Sequence, residues 1–186
     1  MKRYPDGVEG GFFYEKSCPG YKPDWLSVTE AGRTKKVAYC TVEDEAGLVW
    51  IANLASLEFH TSLSRSDDIS RPTMVVFDLD PGEGLDILDC AEAGVSLRAM
   101  LAGLGLECFA KTSGGKGLHV YVPLNVPVSF GETKDFAHAV ALMMAKTAMT
   151  TSNSSSVTPD DAPVGLDRVL WGARGADLLT MAYPER

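Results

Sequence analysis

MVVFDLDPGEG, residues 74–84, runs from apolar residues straight into two acids one residue apart and then into a Pro-Gly turn. The apolar run bounded by a turn signal predicts a buried strand over 73–81. Side chains at i and i+2 of a strand share a face, so Asp78 and Asp80 point one way while Leu79 points the other. Two carboxylates on one face repel, and each raises the other's pKa unless a cation sits between them. Hard oxygen donors at this spacing suit Mg²⁺ or Mn²⁺, and such an ion can in turn hold a triphosphate. An acid pair that merely ends a strand at the solvent edge is the competing reading. The surrounding sequence has to decide.

Working outward, Leu88, Ala91, Val95, Leu97, Leu101 and Leu104 recur at helical spacing in LDILDCAEAGVSLRAMLAGLG (85–105), with Gly103 and Gly105 as a stop. LECFAKTS (106–113) predicts a strand, GGKG a loop, LHVYVPL (118–124) a second strand, and ETKDFAHAVALMMAKTAMT (132–150) a helix. Upstream, KKVAYCTVED (35–44) alternates as a strand does, GLVWIANLAS (47–56) predicts a short helix, and LEFHTSL (57–63) a strand. Residues 2–25 are rich in Gly, Pro and aromatics, with turn signals at Pro5-Asp6-Gly7, Gly10-Gly11 and Pro19-Gly20. TTSNSSSVTPDDAPVG (150–165) has the composition of linker or disordered chain, and the segment after it is moderately apolar without clear periodicity. Hairpin-like strand pairs interspersed with helices indicate a mixed α/β fold rather than strict βαβ alternation.

The 186 residues suit one domain, and the 45% hydrophobic fraction suits a globular core. A formal charge of −8, from 17 Lys+Arg against 25 Asp+Glu, lacks the basic excess common in nucleic-acid binders, although a local basic cluster can still hold phosphates. No leader-like apolar run follows Lys2 and Arg3, and no apolar stretch reaches the roughly 18 residues of a membrane span. The expectation is a cytoplasmic protein with no membrane association. The four cysteines (Cys18, Cys40, Cys90, Cys108) form no CxxC pair, so zinc is not expected and all four are expected to be reduced, idle thiols.

The acid pair has two enzymatic readings. A haloacid-dehalogenase-type phosphatase uses hhhhDxD with an aspartyl nucleophile, but follows it with Gly-Thr or a close variant; here Pro81-Gly82-Glu83 follows. Two-metal nucleotidyl transfer needs only the paired acids. KTSGGKGLHVYVPL (111–124) favours the second, because it offers the Ser113 hydroxyl, backbone N–H groups around Gly114-Gly115, the Lys116 ammonium and His119. It is not a Walker A loop. His119 alternates with Leu118 and Val120, so it lies on the face opposite to theirs.

KRYPDGVEGGFFYEK (2–16), LVWIANLASLEFH (48–60), VVFDLDPGEG (75–84) and KTSGGKGLHVYVPL (111–124), in that order, resemble the polymerase domain of the bacterial end-joining DNA ligase D. That domain belongs to the archaeo-eukaryotic primase superfamily. The resemblance implies a primase-polymerase-like α/β fold, a mostly antiparallel central sheet flanked by helices. It implies addition of nucleotides to DNA 3′ ends with Mn²⁺ or Mg²⁺, from NTP or dNTP, on template-primer DNA. Ku and a DNA ligase domain are implied partners. Asp78 and Asp80 match the metal-binding acids, and Lys2, His60, Ser113, Lys116 and His119 match nucleotide contacts. Phe12 and Phe13 match an aromatic pair that stacks on template bases, with Lys16 beside them on the DNA side. Stacking on an aromatic face tolerates any base, as end repair requires.

Residues 1–149 carry the resemblance, and 150–186 are expected to be a divergent linker and C-terminal segment of a single, incomplete domain. Thr61 stands where the family has proline after the histidine. The family's third acid has its best counterpart in Asp167, within VGLDRVLWGARGA, where the apolar run follows the acid instead of preceding it. These departures suggest a truncated or frameshifted product, and a catalytically degenerate module that binds nucleotide or DNA ends is the alternative to an active enzyme.

Overall fold

Residues 74–81 do form the organising strand. The computed structural model describes residues 1–32, 35–152, 164–165 and 169–170. In chain order the elements are β1 (Lys2–Arg3), β2 (Phe13–Tyr14), β3 (Val28–Ala31), β4 (Val37–Cys40), α1 (Glu45–Asn53), β5 (Ser56–Glu58), β6 (Met74–Pro81), α2 (Ile87–Gly103), β7 (Phe109–Thr112), β8 (Leu118–Pro123), α3 (Phe130–Ser152), β9 (Val164–Gly165) and β10 (Val169–Leu170). Every strand pairing among the described residues is antiparallel, so the α/β class with antiparallel sheets and helices holds. The described residues divide into two compact units: Met1–Ser62 with Ser66–Ile69, and Leu63–Arg65 with the described residues from Ser70 to Leu170.

In the second unit the sheet order is β10-β6-β8-β7, with β9 also on β6. β6 and β8 pair from Met74↔Pro123 to Leu79↔Leu118. Val75, Phe77 and Leu79 alternate into a core shared with Leu97 and Leu101 of α2, Val120 and Val122 of β8, and Ala137, Val140 and Met144 of α3. Phe77 and Leu79 are almost wholly enclosed, each worth roughly 1.5–3 kcal/mol of apolar burial. Gly94 lets α2 approach the sheet: a Cβ there would stand 3.1 Å from Leu118 Cδ2 and 3.8 Å from Leu79 Cδ1. The helix starts at Asp86, whose Oδ1 accepts from Leu88 N (2.7 Å) while Asp89 Oδ2 accepts from Asp86 N (2.8 Å), a reciprocal cap. Ser129 and Glu132 cap α3 in the same way: Ser129 Oγ accepts from Glu132 N (3.2 Å), and Glu132 Oε2 accepts from Ser129 N (2.8 Å). Those bonds, backbone first, hold the Glu132 carboxyl below its ordinary range.

The first unit holds the small sheet β2-β1-β5 and the hairpin β3-β4. α1 starts two residues earlier than its apolar pattern predicts, because Asp44 Oδ1 accepts from Gly47 N at 2.8 Å and caps it. The expected strand over 57–63 shrinks to Ser56–Glu58, since its partner β1 is two residues long and the pairing is irregular there. β3, which alternation alone does not announce, forms because it zips onto β4 from Val28↔Cys40 to Ala31↔Val37.

Cys18 and Cys40 form a disulfide, with Cα atoms 4.9 Å apart. This overturns the expectation of four reduced thiols. The Cys18 N–H donates to Ala38 O at 2.7 Å, which brings the loop after β2 against β4 and sets the two sulfurs together. Cys90 and Cys108 are free thiols. Cys90 is enclosed in the core, where burial first and then the nearby Asp80, Asp89, Asp86 and Asp78 charges push its thiol up. No described helix is long and apolar enough to cross a membrane.

Candidate functional site

The acids stand where strand alternation places them. Leu79 is fully buried in the core, and Asp78 and Asp80 lie half-buried on the opposite face of β6. His119 sits directly across from Asp78 on β8, with Nε2 3.2 Å from Asp78 Oδ1, an atom withdrawn from solvent. Lys111 on β7 is in register with His119, so a row of acid, imidazole and ammonium crosses three strands. Tyr121 shares this face: its hydroxyl is 3.4 Å from His119 Nδ1, and Lys111 Nζ is 5.6 Å from its ring centroid.

The β7–β8 hairpin closes against the acids. A Cβ on Gly117 would stand 2.7 Å from Asp80 Oδ1 and 2.5 Å from Leu79 O, so only glycine admits this approach. Ser113 organises the turn: its N–H donates to Gly117 O (3.0 Å), and its Oγ accepts from Gly115 N (3.3 Å) and Gly117 N (3.1 Å). Gly114 takes φ +90. Two loop N–H groups expected to face an anion thus turn inward onto Ser113, while the Lys116 side chain is exposed.

The carboxylate pair fits a hard divalent cation of the kind that completes its shell with water and nucleotide phosphate oxygens. Among the described residues no cluster of three His, Cys, Asp or Glu is placed to hold a metal. Asp167 lies outside the described residues. The chain on either side of it pairs with β6, Gly165 across from Asp80 and Val169 across from Phe77.

In the first unit, Lys2 and His60 meet on one carboxylate that the sequence reading did not single out. Glu58 Oε2 is 3.0 Å from Lys2 Nζ, and Glu58 Oε1 is 2.9 Å from His60 Nε2. Tyr4 donates its hydroxyl to Glu58 Oε2 at 3.2 Å. Lys2 Nζ lies 4.1 Å from the Phe12 ring centroid, 5.2 Å from that of Tyr4 and 6.0 Å from that of Tyr14. Tyr4 first and Glu58 next raise the Lys2 pKa above its usual range. Burial by itself would raise Glu58, but Lys2, Tyr4 and His60 outweigh it and hold the carboxyl below its ordinary value. Phe12 and Phe13 are both exposed but do not share a face: Phe12 packs with Lys2, Tyr4 and Tyr14, while Phe13 lies under the Arg3 guanidinium at 5.1 Å. Arg3 is itself fixed to Leu54 O and Glu15. Lys16 is exposed.

The model of the LigD primase-polymerase domain family matches residues 1–160. The chain belongs to that family. The multifunctional non-homologous end joining DNA repair protein LigD of Mycobacterium tuberculosis is 40% identical over 164 residues, which is 81% of this chain and 21% of the relative. The bifunctional non-homologous end joining protein LigD of Bacillus subtilis is 32% identical over 140 residues, 75% of this chain and 22% of that protein. This LigD-type chain therefore spans about a fifth of the length of these curated relatives. Among solved structures, the polymerase domain of Mycobacterium tuberculosis ligase D in complex with DNA superposes with a TM-score of 0.73 at 35% identity, covering 88% of this chain and 60% of that one. The sequence match and the backbone superposition agree on the LigD-like fold.

Tyr121 and Glu58 were missed in the sequence, although one signal reaches both. Tyr121 is two residues beyond His119 on β8 and so shares its face, and Glu58 is two residues before His60 in a stretch whose sequence predicts a strand.

Proposed function

We propose that this domain is a nucleotidyltransferase of primase-polymerase type that extends DNA 3′ ends in non-homologous end joining, using Mn²⁺ or Mg²⁺. The observation that carries the reading is the close approach of the Gly117 hairpin to Asp80 beside the Asp78–His119 pair, which puts acids, a lysine loop and an imidazole at one sheet end. In this reading Asp78 and Asp80 hold the metal, and Ser113, Lys116 and His119 hold the triphosphate of an NTP or dNTP. The metal, when bound, neutralises charge on the phosphates and polarises the attacking hydroxyl. No side chain serves as a covalent nucleophile: the 3′-oxygen bonds to the α-phosphorus as the bond to pyrophosphate breaks. Lys2 and His60 of the first unit bind nucleotide, and Phe12, Phe13 and Lys16 contact DNA. The solved relative bound to DNA supports template-primer DNA as partner. Ku and a DNA ligase domain complete the proposed assembly, in the cytoplasm.

The test is primer extension on a short gapped duplex with labelled NTP and Mn²⁺. Extension by the intact chain, abolished in Asp78→Ala, supports the enzyme. Binding of NTP without extension turns the reading to a degenerate binding module, the alternative raised by the off-register third acid, Asp167, in the sequence.

A further inference from the structure

We propose that Glu58 is a positioning residue that holds Lys2 and His60 together as one nucleotide-binding unit; this rests on the reading that the first unit binds nucleotide. Lys2 and Glu58 are cross-strand partners on β1 and β5. The two carboxylate oxygens divide the work: Oε2 takes Lys2 Nζ at 3.0 Å and the Tyr4 hydroxyl at 3.2 Å, and Oε1 takes His60 Nε2 at 2.9 Å. A carboxylate offers about four lone-pair sites, so one group can serve all three donors. The Lys2 ammonium is further limited by the Phe12 ring at 4.1 Å and the Tyr4 ring at 5.2 Å. Lys2 and His60 are thus aimed before any ligand arrives, and a nucleotide meeting both avoids the ordering cost of two separate side chains.

The same geometry contributes little to folding. The Glu58 side chain is 42% exposed, and ion pairs this open to solvent add little stability. Changes at Glu58 should therefore move nucleotide affinity far more than thermal stability.

The test compares the full chain with its Glu58→Gln and Glu58→Asp variants. Imidazole ¹⁵N–¹H spectra should show His60 protonated on Nε2 in the parent, with that tautomer preference lost in Glu58→Gln. Affinity for a fluorescent ATP analogue with Mn²⁺ should fall about tenfold, while affinity for a DNA duplex and the melting temperature stay as in the parent. Lys2→Met combined with Glu58→Gln should lose no more than either change alone. Glu58→Asp, which keeps the charge but shortens the reach, should not restore the affinity. An unchanged His60 tautomer, an unchanged nucleotide affinity, or full recovery in Glu58→Asp would each overturn the assignment. A parent chain that binds no nucleotide would instead overturn the functional reading, and the imidazole spectra would still report whether Glu58 sets His60.

Discussion

Asp78 on β6 stands directly across from His119 on β8, and its buried Oδ1 lies 3.2 Å from the histidine Nε2. The imidazole of His119 thus faces one member of the acid pair from across the sheet. Asp78→Asn keeps the shape and removes the charge. Primer extension should fall at least about 100-fold, with little change in melting temperature. Extension within tenfold of the parent would show that Asp78 holds no essential metal.

Gly117 is the narrowest point of the hairpin's approach. Gly117→Ala drives a methyl group onto the Leu79 carbonyl and the Asp80 carboxylate. Relieving that overlap should cost about 1–3 kcal/mol, read as a lower urea midpoint, and should weaken nucleotide binding because the Ser113 turn moves with it. Gly115→Ala, where the nearest atom to the added carbon is Ser113 Oγ at 3.9 Å, is the matched control and should leave packing intact.

The Cys18–Cys40 disulfide closes a loop with a sequence separation of 22. Its loss, by reductant or by Cys18→Ser, should lower stability by roughly 3 kcal/mol. Calorimetry with and without reductant checks this. The Cys18→Ser variant should be insensitive to reductant, because Cys90 and Cys108 are unpaired.

The Lys2–Glu58 pair has a signed pH dependence. The Glu58 pKa falls below its ordinary 4.5 on folding, so its contribution is full above 4.5 and is lost as pH falls through the folded value. The Lys2 pKa rises above its ordinary 10.5, so its contribution is full below 10.5 and is lost as pH rises through the folded value. Both side chains reach solvent, so the total is at most about 1 kcal/mol. The stability difference between the parent and Glu58→Gln should shrink as pH falls below the ordinary Glu58 value of 4.5.

Asp167 is the remaining candidate acid. Chain on both sides of it is hydrogen-bonded to β6, at Asp80 and at Phe77. We expect Asp167→Ala to abolish extension while sparing nucleotide binding, measured on the same preparation. Unimpaired extension would remove Asp167 from the metal site.

Elements whose pattern is local were readable in advance. The acid strand, α2, α3 and the β7–β8 hairpin each announce themselves by period and turn residues, and the face shared by Asp78 and Asp80 follows from alternation alone, whereas the place of His119 across from Asp78 depends on the β6–β8 register. Contacts made across long separations were not readable. β3 forms through pairing with β4, the disulfide depends on a loop docking at Ala38, and Lys2 meets His60 only through a bulged two-residue pairing. Phe12 and Phe13 look like one stacking pair as adjacent letters, but Phe12 packs with Lys2, Tyr4 and Tyr14 while Phe13 lies under Arg3.

Leu79 lies between the two acids and is completely enclosed, touching the space that Gly94 leaves open on α2. The acid-bearing stretch of β6 is therefore anchored from inside the molecule, by a hydrocarbon side chain on the face opposite the carboxylates. A substitution at Gly94 could shift the acid-bearing strand from the far side of the sheet, through α2, without altering a polar atom.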